Sequence, residues 1–272
     1  MPRLLLSLLL FFTVPCCFAQ PESSLLNLAS RALTLHDTNA AIGHLEDFAK
    51  TYPRSSAIYV TNQRLAEMYI SRKNYDSALV KLSYAMSFKA AGYSDLKMLD
   101  SFNNLGGSVK NYFIAINNYL LLSRVFELQN DNRKALQYLN LADTICHKKH
   151  GECGNDLINC LSYVSLSFAD YYIRNGDTNK AISRLVQDFA GGEHYSYEAA
   201  KKLKQVLHYK YNIEEIKQEI DHGIASSIVR DGGKNEPRKV FCFTIFGCTI
   251  RKNATHTDRE AWIKILLDLL RN

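Results

Sequence analysis

The stretch Asn62–Phe88, NQRLAEMYISRKNYDSALVKLSYAMSF, decides the fold. Leu65 and Ala66 are followed by Tyr69 and then, beyond the polar hinge Arg72-Lys73-Asn74, by Ala78, Leu82 and Ala85. Apolar residues three and four apart on either side of the hinge predict two amphipathic helices joined by a tight turn. Small Ala66 and Ala78 let the two backbones approach closely, Leu65, Tyr69 and Leu82 fill the space between them, and Ala85 leaves room for a neighbouring hairpin.

The same spacing recurs three more times when the alanine that opens the second helix is aligned. Leu28-Ala29, Ala32, Ala41, Leu45, Phe48 and Pro53 form a copy in which Ala32 replaces the aromatic residue. Leu122-Ser123, Phe126, Ala135, Leu139 and Ala142 form another, and Phe168-Ala169, Tyr172, Ala181 and Leu185 a fourth, with Asp188 at its last small position. The order large-small, aromatic, small, large, small resembles the tetratricopeptide repeat (TPR), a helix-turn-helix unit of about 34 residues that stacks on copies of itself. The resemblance covers about Ser24 to Asp188 and implies an all-α, right-handed TPR-like solenoid of helical hairpins. The opening alanines stand 37, 57 and 46 residues apart, so the units carry longer helices or loops than the family's period, with the largest excess near Ala91 to Lys110. Asp37-Thr38-Asn39, Asn130-Asp131-Asn132 and Asn175-Gly176-Asp177 supply turn formers and helix N-caps at the other hinges.

Outside the repeats the grammar changes. Residues 1–19 read as a secretory signal peptide: Arg3 precedes the apolar run Leu4 to Val14, and Cys17-Phe18-Ala19 forms a cleavage site ahead of Gln20. A retained anchor helix and lipid attachment at Cys16 or Cys17 are the competing readings of that segment. Residues 20–190 hold the repeats, and 191–230 hold a divergent pair of capping helices, the second capped by Asn212. Residues 231–272 form a small tail, in which RKVFCFTIFGCTI (238–250) has strand composition, as one bent strand or a short hairpin. Thr257-Asp258 then opens a terminal amphipathic helix bearing Trp262, the single tryptophan. Charge follows the same division. Gln20 to Ala199 carries 18 basic and 18 acidic residues, whereas Ala200 to Asn272 carries 14 basic and 9 acidic ones, which makes an acidic surface the simplest partner for the tail.

Export leaves five cysteines, Cys146, Cys153, Cys160, Cys242 and Cys248, where disulfides persist. An odd number leaves at least one thiol unpaired within the chain. The cluster CHKKHGEC (146–153) with Cys160 has metal-ligand residue types at short spacing. It lacks paired Cys-x-x-Cys knuckles, and Lys148 and Lys149 oppose a cation, so a disulfide such as Cys146 to Cys153 or Cys153 to Cys160, or free thiols, is the favoured reading. A bridge between Cys242 and Cys248 and two buried thiols are equally open.

The sequence contains no Gly-rich phosphate loop, no His-Glu-x-x-His and no Gly-x-Ser-x-Gly elbow, so nothing in it points to an enzyme or a cofactor. The TPR resemblance implies instead a scaffold that binds a protein or peptide on a face lined by the first helix of each hairpin, and the signal-peptide reading makes it an exported one, periplasmic or secreted. Asn62, Gln63, Asn117, Asn118 and Ser165 are the residues expected to be exposed there. Nucleic acid is not expected, and membrane contact is expected through the basic tail alone. Two alternatives have other consequences: a sensory solenoid of an envelope signalling system, and a metal-binding protein using the Cys146 to Cys160 loop.

Overall fold

One turn, used four times, sets the architecture. His36, Lys73, Asn130 and Gly176 each have positive φ, between 58° and 79°, and each stands five residues before an opening alanine. A left-handed residue at this point reverses the chain after a helix and brings the next amide back onto it. The following residue then donates its N–H to the carbonyl at the aromatic position: Asp37 to Ala32, Asn74 to Tyr69, Asp131 to Phe126 and Asp177 to Tyr172, at 2.8–2.9 Å. That same residue caps the second helix, its side chain accepting from the N–H of Ala40, Ser77, Lys134 or Lys180. The carboxylates of Asp131 and Asp177 are held below the usual range. For Asp131 the main cause is the Lys134 backbone N–H and for Asp177 the Lys180 side chain.

The computed structural model describes residues 20–86, 111–148, 154–191, 197–230, 240–253 and 264. The expected signal peptide, the excess near Ala91 to Lys110, His150, Cys153 and the expected helix bearing Trp262 all lie outside them. The described helices are α1 (Gln20–Thr34), α2 (Thr38–Thr51), α3 (Ile58–Ser71), α4 (Tyr75–Met86), α5 (Asn111–Leu128), α6 (Asn132–Lys148), α7 (Gly154–Arg174), α8 (Thr178–Gly191), α9 (Tyr197–Lys210) and α10 (Ile213–Ala225). Strands β1 (Ile228–Arg230), β2 (Val240–Ile245) and β3 (Cys248–Asn253) follow. Among the described residues no helix is long and apolar enough to cross a membrane. The chain divides into two compact units, Met1–Tyr138 and Leu139–Asn272, with the division inside α6.

In the first unit, α1 pairs with α2 and α3 with α4, while α3 also packs on α2, and α5 packs on both α4 and α3. The small positions are the points of contact: Ala29, Ala41, Ala66, Ala78 and Ala85 are at most 1% exposed. Leu45, Phe48, Leu65 and Leu82 are equally enclosed. Burying one such side chain is worth about 1.5–3 kcal/mol, so the repeated apolar positions, more than helix propensity, hold the hairpins closed. Glu46 of α2 adds a polar tie, accepting from Tyr69 Oη at 2.9 Å and pairing with Lys81 at 2.6 Å. Burial first, and the Glu46 hydrogen bond second, push the Tyr69 hydroxyl above its ordinary pKa.

In the second unit, α7 pairs with α8, and α9 packs on α8 and α7. Asn212 and Glu215 form a reciprocal cap that opens α10, the Asn212 side chain accepting from Glu215 N–H and the Glu215 carboxylate from Asn212 N–H. A disulfide joins Cys146 of α6 to Cys160 of α7, with both cysteines at most 1% exposed. This corrects the expected pairings, each of which used Cys153. The distance between the cysteines favours it: Cys146 near the end of α6 and Cys160 in the first half of α7 are 6.0 Å apart between Cα atoms. Closing a loop of this size restricts the unfolded chain by about 3 kcal/mol.

The tail is a hairpin rather than one bent strand. β2 and β3 are antiparallel around Phe246-Gly247, both residues at positive φ, which is the two-residue turn that suits the strand twist. β1 joins the other edge of β2, giving the order β1-β2-β3. Three residues are too few to show alternation, so that strand was not expected. One face of the sheet, Phe241, Phe243, Ile245, Cys248 and Ile250, is buried with Ile182, Leu185, Ile216 and Ile220 of the helices. Cys242 and Cys248 project from opposite faces, because Cys248 pairs with Ile245, three residues beyond Cys242. Both are free thiols, and no bridge between them forms.

Candidate functional site

Within each unit the first helices of consecutive hairpins touch: α3 with α5, and separately α7 with α9. The polar residues expected on their exposed face occupy these seams or the interior. Asn62, Gln63, Asn118 and Ser165 are 4%, 5%, 1% and 2% exposed, so four of the five are buried, and Asn117 alone is half-buried. The expectation failed for a physical reason. A helix inside a stack has neighbours on most of its circumference, and α3 buries Val60, Thr61, Asn62, Gln63, Leu65, Ala66 and Met68. Only part of the arc that looks solvent-facing in a single hairpin stays so when the next hairpin arrives.

Burial changes what these side chains do. Asn62 Nδ2 donates to the Ile58 carbonyl one turn back, at 2.8 Å. Gln63 Nε2 donates to Asn118 Oδ1 at 2.7 Å, crossing 55 residues of sequence to join α3 to α5. The same Asn118 keeps its own amide donor, Nδ2, buried without an acceptor, and Thr61 Oγ1 is likewise without a partner. A buried polar group left in this state costs about 1–3 kcal/mol, so the seam holds hydrogen-bonding capacity that the chain does not use.

Ser165 belongs to another assembly. Its hydroxyl accepts from Arg184 Nε at 3.1 Å, while the Arg184 guanidinium grips the Asp143 carboxylate and lies over the Phe168 ring, 4.7 Å from its centroid. Arg184 of α8 thereby ties α6 and α7 together. Sequence reasoning missed this clamp because Asp143 and Arg184 are 41 residues apart, and neither carries a local signal.

The disulfide also bears on metal binding. Cys146 and Cys160 are bonded to each other, and a disulfide sulfur is not the thiolate that zinc requires. Among the described residues no group of three or more His, Cys, Asp or Glu side chains is placed to hold a metal ion.

No protein-family model matches the chain, and no curated protein matches it. A solved tetratricopeptide repeat protein from Parabacteroides merdae ATCC 43184 is similar at 15% identity, over 93% of this chain and 100% of that one, with a TM-score of 0.26. So low a score carries no weight, and the repeat architecture rests on the four turns and the buried alanines.

Proposed function

We propose that this protein is an exported, non-catalytic scaffold that binds an extended segment of a protein or peptide along the seam between α3 and α5. One observation carries the proposal: the Asn118 amide donor beside the Gln63 carboxamide has no acceptor in the chain and, at 1% exposed, meets a ligand where the seam between α3 and α5 opens. The Asn118 oxygen is taken by Gln63, so the unused N–H is the group left to meet a main-chain carbonyl of an extended segment. Asn117, half-buried on the same helix, forms the accessible edge of that surface. The buried disulfide supports export, since such bonds persist in oxidising compartments.

The test is site-specific photocrosslinking in the exported, full mature chain. A benzophenone amino acid at Asn117 is expected to yield a discrete protein adduct, and the same residue at Tyr84, 60% exposed on α4, is expected to yield none. Equal adducts from both sites, an adduct from Tyr84 alone, or none from either overturns the proposal.

A further inference from the structure

The basic excess that begins at Ala200 is concentrated on one helix. Residues 200–210 of α9 hold four lysines and no carboxylate, whereas residues 211–230 hold two basic and four acidic residues. α9 buries Ala199, Ala200, Leu203, Val206 and Leu207. Helical spacing sets Tyr197, Lys201 and Lys204 one turn apart in a strip on its outer side. Tyr197 is 66% exposed, Lys201 is exposed and Lys204 is half-buried.

Two of the four lysines are used inside the fold. Lys202 pairs with Asp170 of α7 at 2.7 Å, and Lys210 donates to Asn179 of α8 and lies over the Tyr211 ring, 4.8 Å from its centroid. Lys201 and Lys204 make no ion pair or hydrogen bond among the described residues. Glu198, the single carboxylate of α9, stands in the first turn, where its charge meets the positive end of the helix dipole. We propose that the strip Tyr197-Lys201-Lys204 docks an extended acidic segment of a partner protein, with an apolar side chain beside its carboxylates. Helix residues three and four apart stand about 5–6 Å from one another at Cβ, and alternate residues of an extended chain are about 6.6 Å apart on one side. Two carboxylates and an apolar group at alternate positions therefore meet Lys204, Lys201 and Tyr197 in turn. Exposed ion pairs are individually weak, so the lysines select the sign of the charge and the aromatic ring fixes the register.

The test is fluorescence anisotropy on the full mature chain, with a labelled peptide carrying two glutamates and a leucine at alternate positions and serine between them. This peptide is expected to bind about tenfold more tightly than its glutamine counterpart, corresponding to about 1.4 kcal/mol. Lys201→Glu combined with Lys204→Glu is expected to remove that preference, and Tyr197→Ser to weaken binding of both peptides. Lys50→Glu combined with Arg54→Glu changes the net charge equally at exposed positions of the first unit and is expected to keep the preference. Far-ultraviolet circular dichroism checks that each variant is folded. None of these positions lies on α3 or α5, so the Asn117 adduct is expected in every variant and reports the seam separately. No binding of the glutamate peptide, equal binding of the two peptides, binding unchanged in Tyr197→Ser, or equal loss in the two charge-reversed variants overturns the proposal.

Discussion

Single residues at the four turns carry a testable asymmetry. His36, Lys73 and Asn130 hold a left-handed conformation that costs a residue with a Cβ about 1–2 kcal/mol, while Gly176 holds it freely. Lys73 is exposed, so replacing it changes little except the backbone. Lys73→Gly is expected to raise stability by about 0.5–1 kcal/mol, and Gly176→Ala to lower it by about 1 kcal/mol. Urea unfolding of the two variants against the parent measures both, and two shifts of the same sign would contradict the common turn. At this scale the sequence was readable in part. Asp37, Asn130-Asp131 and Gly176-Asp177 announced their turns by chemistry, whereas the left-handed Lys73 has no such signature and was placed only within the polar hinge Arg72-Lys73-Asn74.

Among the elements, the contact between α10 and β2 is the most sharply constrained. A Cβ added at Gly223 would stand 2.5 Å from Ile245 Cγ2 and 2.6 Å from the Thr244 carbonyl oxygen, so only glycine lets the helix lie this close to the strand. The Glu219 carboxylate fastens the same contact by accepting from the Phe246 N–H at 2.6 Å. Gly223→Ala is expected to cost about 1–3 kcal/mol. It should also raise amide hydrogen exchange in β2 and β3, because the strand must shift or the helix must lift. Unchanged exchange in both strands would mean that the sheet does not rest on α10. The sequence indicated strand composition for the tail but not this packing, because a lone glycine in a helix reads as a weak point unless its neighbour is known. The disulfide is similar: thiols at short spacing were legible, and their partner depended on which two the helices bring together.

Across the molecule, the periodic placement of alanine, leucine and an aromatic residue was enough to read the hairpins, since each of those positions is decided by contact inside a hairpin or with the next one. The binding surface was not legible in the same way. Polarity on a first helix marks either solvent or a seam, and burial of Asn62, Gln63 and Asn118 shows that here it marks the seam. The account therefore turns on whether α3 and α5 meet as described. The most direct measurement is a double-mutant cycle in urea unfolding on Gln63→Ala and Asn118→Ala, two residues 55 apart in sequence whose side chains are 2.7 Å apart in the fold. Stacked first helices predict a coupling energy of about 0.5–1.5 kcal/mol, and effects that add to within about 0.3 kcal/mol would contradict it.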